Sequence, residues 1–413
     1  MKIIVIGAGI VGLATAYWLS KGGHEITVID RLAEVGNGTS FGNGGQLSYS
    51  YVAPLASPSV LKNLPEYLFS TGAPVKFRPT LDPAQIFWLA RFLAACNARR
   101  VRRTSEALLA LAGFSQTMLH ELIAAERIEF AHRRNGKLVF FSSRESLSSA
   151  LRQMEFQAAL GCEQRLLSRD ECIALEPGLK PASGRMVGAI YAPADEAGDC
   201  LLLCRELHRI LSARSNAVKF RLGAAVRSLV RDGHRLRGVA LEGETVEADL
   251  TILCTGVGTR SLAGGGLPVY PLVGYSISPL LKEGAPAPEK SITDFARRTV
   301  YARLGDRLRV AGFAEIAGWS WAVDPARIAT LANETAALFP GACALDELRP
   351  WVGARPATPT GVPIIGRTRT ENLLVNVGHG SLGFTLSLGS GKLVSDIVAG
   401  RATPIDAKPY AFR

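Results

Sequence analysis

The chain opens 1-MKIIVIGAGIVGLATAYWLSKGGHEITVIDR-31, and the reading of this stretch decides the fold. Lys2 to Ile6 is a short, β-branched apolar run with the length of a buried strand. Gly7, Ala8, Gly9, Ile10, Val11 and Gly12 follow as G-x-G-x-x-G, and apolar residues at helical spacing continue to Lys21. Gly22-Gly23 stops that helix, and His24 to Ile29 reads as a second strand closed by Asp30 and Arg31. In such a unit the first glycine allows the tight strand-to-helix turn. The second lets backbone approach a pyrophosphate, and the third lets helix and strand pack closely. The helix N-terminus offers unpaired N–H groups and the positive end of its dipole to phosphates. Asp30 stands where a carboxylate accepts hydrogen bonds from ribose hydroxyls, and an acid there disfavours a 2′-phosphate. The expected ligand is therefore NAD or FAD rather than NADP.

Outward from that unit, 413 residues with 47% hydrophobic and 20% charged content suffice for two substantial cores. The opening apolar run carries glycines at fingerprint positions and no small-residue cleavage site, so it does not read as a signal peptide. No stretch offers about 18 uninterrupted apolar residues, and no transmembrane helix is expected. Seven cysteines without C-x-x-C, Cys200 and Cys204 among them, read as reduced core thiols of a cytoplasmic protein. Six histidines with no H-E-x-x-H pattern argue for no metal. The net charge of +11 is most concentrated at Arg99-Arg100 and Arg102-Arg103, after the apolar segment Ile86 to Cys96. That patch reads as a solvated basic face or as a helix lying on the anionic inner face of the cell membrane. No aromatic-basic interleaving or binding module suggests nucleic acid.

Gly36 to Gln46, GNGTSFGNGGQ, is too glycine-rich for a generic connector and reads as a cofactor-facing loop. Prolines make Pro54 to Phe77 an irregular excursion, and Asp82 to Glu126 is mainly helical. Strands are expected at Lys137 to Phe141, Gly188 to Ala192, Val218 to Leu222 and Val226 to Val230. Ala248 to Thr255-Gly256 is a further strand, which returns the chain to the nucleotide unit. Thr299 to Arg303 and Arg307 to Ala311 form a hairpin at Gly305-Asp306. Strand Leu373 to Val377 ends in GHGSLGFT, residues 378–385, a second glycine-rich strand-to-helix junction at the opposite end of the chain.

These motifs together resemble the D-amino acid oxidase superfamily of flavoproteins, and within it the bacterial D-amino acid dehydrogenases. The similarity covers nearly the whole length. It rests on GAGIVG with Asp30, TSFGNGGQLS, DEAGDC from Asp195, PVYPLVGYS, GARPATPTGVPIIGRT and NVGHGSLGFTLSLGSG. The resemblance implies an α/β fold, with a discontinuous Rossmann-like FAD-binding domain (1–53, 160–260 and 351–413). A mixed-sheet α+β substrate domain takes 54–159 and 261–350. It implies FAD bound non-covalently, since the serine-histidine attachment motif of sarcosine-type relatives is missing. Gly7 to Gly12 with Asp30 and Arg31 would meet the ADP half. Thr39, Ser40 and Asn43 would lie along the pyrophosphate, and Val226 at the adenine. Thr255 and Gly256 complete that half. The isoalloxazine would sit between Gly44-Gly45-Gln46 and Gly380, Ser381, Leu382, Gly383, Phe384 and Thr385, whose helix N-terminus would stabilise negative charge on the reduced ring.

For the substrate, the resemblance assigns Arg355 to the carboxylate, which a guanidinium fork suits. Tyr275 is assigned to the pocket wall. Tyr301, alternating onto one strand face with Thr299, is a weaker candidate for the same wall. His379 reads as a structural member of its junction rather than a base. The implied reaction is hydride transfer from a D-amino acid to flavin N5, with electrons passing to a quinone or other acceptor. Thr360 stands where these dehydrogenases often have Asp, which leaves the substrate side chain open, D-proline or a hydroxyproline included. Three rivals are an oxygen-using oxidase of glycine or an N-methylated amino acid, a NAD-binding dehydrogenase, and a non-catalytic flavin-binding subunit.

Overall fold

The computed structural model describes residues 1–52, 54–69, 75–214, 217–263 and 266–412, so residues 70–74 of the proline-rich excursion lie outside the described residues. A six-stranded sheet begins with Lys2–Ile6, flanked in parallel by Glu25–Ile29 and Leu250–Leu253. Val218–Arg221 and Leu373–Val377 extend it in parallel, and Ile364–Arg367 closes one edge antiparallel. Its central strands are buried on both faces, as continuous Ile/Val runs require. One face carries helices Ile10–Ser20, Cys200–Ser212 and Gly383–Val398. The other carries a three-stranded meander, Ser228–Asp232, Arg235–Ala240 and Thr245–Glu247. The meander starts at Ser228, two residues later than expected, and Val226 is left outside the strand.

The second layer is an eleven-stranded mixed sheet. Arg307–Ile316 runs through its middle, paired to Thr299–Leu304 on one side and Tyr270–Ile277 on the other. Ser291–Asp294 and Lys137–Phe141 continue it outward. Helix Pro325–Leu338 packs on one face with Tyr301 and Phe339. Three strands placed by the sequence reading in the nucleotide unit hydrogen-bond into this sheet instead: Arg165–Leu167, Gly188–Ala192 and Trp351–Ala357. Pro356 makes the last of these look like a turn. It is tolerated because Trp351–Ala357 has Tyr270–Ile277 as its one strand partner among the described residues, with a single bridge from Ala357 to His379 on the other side, so Pro356 needs no donor there.

Helix Ala98–Ala125 is long and apolar enough by length and composition to cross a membrane. Half of its apolar window is buried in the protein, where Leu108, Leu111, Leu119 and Leu122 join the core of the nucleotide unit. Its Ser115 Oγ accepts the Gly389 N–H at 3.1 Å. Helices Ile10–Ser20 and Gly383–Val398 approach closely through small residues. A Cβ on Gly391 would lie 2.7 Å from the Ala14 carbonyl carbon, which is backbone and cannot rotate away. Gly391→Val should therefore destabilise the protein by about 1–3 kcal/mol, as overpacking does. A lowered midpoint in urea unfolding, at unchanged m, checks it.

Candidate active site

One cavity of about 1390 Å³ runs from the first glycine junction, past the 36–46 loop, to the open face of the larger sheet. At its nucleotide end the strand-to-helix turn packs backbone on backbone. Gly7 has φ +112°, and a Cβ on Gly12 would fall 1.8 Å from the Gly7 carbonyl oxygen. The Asp30 carboxylate is held by the Ala8 N–H at 2.7 Å and the Leu32 N–H at 2.9 Å, and still faces the cavity. Ser40 Oγ accepts the Ile10 N–H at 3.1 Å, while the Thr39 hydroxyl donates to the Ala354 carbonyl at 2.7 Å.

The glycine-rich loop is then laid across the larger sheet. Arg309, almost fully buried, donates from one Nη1 to the carbonyls of Phe41 (3.0 Å) and Asn43 (2.6 Å), and from Nε to Ser278 Oγ (2.8 Å). Gly44 lies under Val300, where a Cβ would come within 2.9 Å of Cγ2. Gln46 Nε2 donates to the Ile292 carbonyl at 3.0 Å. Strand Gln46–Leu47 pairs with Glu196–Ala197, and the Ser48 N–H donates to Thr385 Oγ1 at 3.1 Å, tying the loop to the C-terminal junction. No side chain caps the N-termini of helices Ile10–Ser20 and Gly383–Val398 through their N-cap residues, Gly9 and Leu382. This donor-rich trough, closed by an anchored acid, fits an extended dinucleotide such as FAD.

Of the cofactor residues expected from sequence, all line the cavity except Ala8, Gly12, Gly45 and Thr385. Those four stand one layer back. Ala8 bonds Asp30, Gly12 meets Gly7, Gly45 abuts Leu304, and Thr385 receives the Ser48 N–H.

At the sheet end, Arg355 reaches from its edge strand across Gly274, where a Cβ would lie 2.3 Å from the guanidinium. Its Nη1 donates to the Phe313 carbonyl at 2.9 Å. No carboxylate among the described residues pairs with it, and burial lowers its pKa to about 10, so it stays cationic at pH 7. Phe313 holds φ +62°, a strained conformation for a bulky residue, which turns that carbonyl toward the arginine. Tyr275 lines the wall, its ring edge-on to Phe313 at 5.9 Å, and burial raises its pKa so that it remains a phenol.

Tyr301 does not share that wall. Its ring packs on Phe339 at 5.4 Å on the opposite face of the sheet, and Val300 lines the cavity in its place. The period-two alternation does put Thr299 and Tyr301 on one face, but that face is the core. Sequence reasoning also missed Gly274, Arg309, Phe313, Tyr51 and Lys137. Arg309 and Lys137 sit inside apolar strands, where a buried cation is the available signal. Lys137 lines the cavity with Nζ donating to Ser48 Oγ at 2.8 Å, and burial lowers its pKa.

Residues 2–397 match the family described as DAO, FAD dependent oxidoreductase. This chain belongs to that family. It is 48% identical over its whole length, and the whole of the relative, to D-amino acid dehydrogenase 2 of Ralstonia nicotianae. It is 41% identical to D-amino acid dehydrogenase 2 of Pseudomonas aeruginosa, over 98% of this chain and 96% of that one. Among solved structures it resembles glycine oxidase from Geobacillus kaustophilus, with a TM-score of 0.77 at 20% identity over 100% and 98% of the two chains. L-proline dehydrogenase from P. horikoshii gives 0.75 at 17% identity over 98% and 95%. At those identities the structures share the fold alone. The chain is thus a two-layer α/β flavoprotein and an FAD-dependent oxidoreductase.

His379 is enclosed in the C-terminal junction, Nε2 3.1 Å from Ser390 Oγ, and burial lowers its pKa to about 3. It is therefore neutral throughout the working range. Because its folded pKa lies below the unfolded value of about 6.5, the unfolded chain binds the extra proton, and stability falls as pH drops from about 6.5 toward 3. His379→Gln should flatten that part of the stability–pH curve, measured by denaturant midpoints. It should also leave the pH profile of kcat/KM without a lost ionisation.

Proposed function

We propose that this chain is a D-amino acid dehydrogenase. It would bind FAD non-covalently, oxidise the α-carbon of a D-amino acid and pass the electrons to a quinone-type acceptor. The observation that carries the reading is Arg355, a half-buried guanidinium at the sheet end of the dinucleotide cavity with no carboxylate partner among the described residues. A guanidinium withdrawn partly from water with one neutral acceptor keeps donors to spare, and an α-carboxylate would complete it. The full-length relatives named D-amino acid dehydrogenase support the same substrate class.

In this reading the six-stranded sheet carries the cofactor unit and the eleven-stranded sheet the substrate unit. FAD, when bound, accepts the hydride at its N5. The chain's own residues bind and orient. Asp30 would receive the ribose, the two helix N-termini would face phosphate and ring, and Arg309 holds the loop flat. Arg355 fixes the carboxylate, with Tyr275 and Val300 as walls that exclude water. The product imino acid hydrolyses to a 2-oxo acid and ammonia, or stays a ring imine if the substrate is cyclic. Rate enhancement on such a scaffold comes from orientation and electrostatics.

Two features support an apolar acceptor. The cavity has an apolar arm lined by Leu64, Leu68, Leu89, Phe92, Leu93 and Val101. On helix Pro83–Ala95, Ile86 and Phe87 are exposed beside Arg91, and exposed Arg99, Arg100 and Arg103 follow at the start of helix Ala98–Ala125. An apolar patch with clustered arginines suits the anionic inner face of the cell membrane, where quinones reside.

Anaerobic mixing with D- and L-amino acids should bleach the flavin of the wild type only with D-isomers, and air should restore the colour slowly. Absence of bleaching by every D-amino acid, with flavin bound, overturns the reading, and immediate recolouring in air points to an oxidase. Arg355→Met should keep its flavin and lose about 2–5 kcal/mol in kcat/KM, a factor of about 30 or more.

A further inference from the structure

The wall of the same cavity holds a second arginine, Arg298, whose side chain is exposed. The turn joining Ser291–Asp294 to Thr299–Leu304 carries Arg297 and Arg298 in succession. Arg297 is neutralised: it pairs with Asp294 at 3.3 Å and with Glu334. Arg298 has no carboxylate partner among the described residues. It lies over the Phe295 ring, its guanidinium carbon 4.5 Å from the centroid, and lines the cavity. Its backbone is left-handed at φ +55°, rare for a residue with a long side chain. Its carbonyl oxygen is 3.8 Å from where a Cβ on Gly312 would be, so it stands next to Phe313. Both arginines line the one cavity, Arg355 bonded to the Phe313 carbonyl and Arg298 stacked over Phe295.

The surroundings are those of a polar binding arm. Tyr51 lines the cavity close enough to feel the Arg298 charge, which works against the burial that raises its pKa to about 12. Gln153, also on the wall, has a buried Nε2 without a hydrogen-bond partner. Arg152 adds a further cation. Away from Asp30 at the nucleotide end, Glu145 is the carboxylate that the described lining residues offer against Arg152, Arg298, Lys137 and Arg355. Such an excess of positive charge draws anions into a cleft.

We propose that Arg298 is a specificity-determining residue, and that the preferred substrates are D-amino acids with an anionic side chain, D-glutamate or D-aspartate. Arg355 takes the α-carboxylate and Arg298, with Tyr51 and Gln153, takes the distal one. This rests on the D-amino acid reading above and names the substrate class within it.

The comparison that tests it is D-glutamate against its neutral isostere D-glutamine, by anaerobic flavin reduction in the FAD-loaded enzyme. The expected result is a kcat/KM at least tenfold higher for D-glutamate, falling with added salt. Arg298→Gln should lower that ratio about tenfold, mainly through KM, and Arg298→Lys should restore part of it. Perturbation of flavin absorbance by glutarate, compared with butyrate, reads the same subsite without turnover. It should tighten with the second carboxylate in the wild type and lose that advantage in Arg298→Gln. Equal kcat/KM for the two substrates, or a ratio unchanged by Arg298→Gln, overturns the proposal. Bleaching by D-alanine but not D-glutamate overturns it while leaving the D-amino acid reading intact. Failure of every D-amino acid, with glutarate still bound through Arg298, would defeat that reading and keep the anionic subsite.

Discussion

The structure depends on one close contact, the packing of helix Ile10–Ser20 against helix Gly383–Val398. These segments come from opposite ends of the chain, and they meet where Gly391 lies against the Ala14 backbone. A side chain there would hold the helices apart. Because they touch, the two glycine-rich strand-to-helix junctions open onto the same cavity. Each presents a helix N-terminus, and both dipoles point their positive ends at one trough. Buried polar groups reinforce the contact: Asn376 Nδ2 donates to Thr15 Oγ1 at 3.0 Å and approaches Ser390 Oγ at 3.3 Å. Such bonds hold only if the helices keep one register, so the packing also sets the alignment of the junctions.

The second sheet acts as a floor for that trough. The 36–46 loop lies against it through its glycines, Gly42 on the Trp351 ring, Gly44 on Val300 and Ala311, and Gly45 on Leu304 and Ala302. Arg309 converts the loop from a flexible connector into a fixed surface by bonding two of its carbonyls. Burying a guanidinium with neutral acceptors is costly, but burial that lowers the Arg309 pKa leaves it a donor, because arginine starts so far above neutrality. The same economy of placement recurs at Arg355, whose carbonyl partner exists because Phe313 is held left-handed. Charge is therefore distributed unevenly in the cavity: an acid at the ribose end, cations at the substrate end.

Much of the fold was legible because it rests on local rules. Gly7, Gly9, Gly12 and Asp30 follow from the turn, the close approach and the ribose partner. Strands such as Lys137–Phe141, Gly188–Ala192 and Leu373–Val377 announce themselves by continuous apolar runs. The larger sheet was harder. Trp351–Ala357 carries Gly and Pro, which locally signal a turn, and only its position at a sheet edge makes the strand tolerable. Arg165–Leu167 is three residues long, too short for any periodicity to show.

The sequence by itself determined the nucleotide unit, since Gly7, Gly9, Gly12 and Asp30 act through residue type at fixed spacing within one short segment, whereas the flavin was implied by motifs spread along the whole chain. The tertiary structure decided which faces those segments show. Tyr301 and Val300 are neighbours in sequence, and alternation separates them, but nothing local says which face is core. Helix Pro325–Leu338 covers the Tyr301 side, and that packing gives the cavity to Val300. Likewise Arg297 and Arg298 are the same residue type in one turn. Asp294 and Glu334, the latter brought from 37 residues further along the chain, neutralise only the first. The charge left over in the cavity is a property of long-range contacts, which no local spacing encodes.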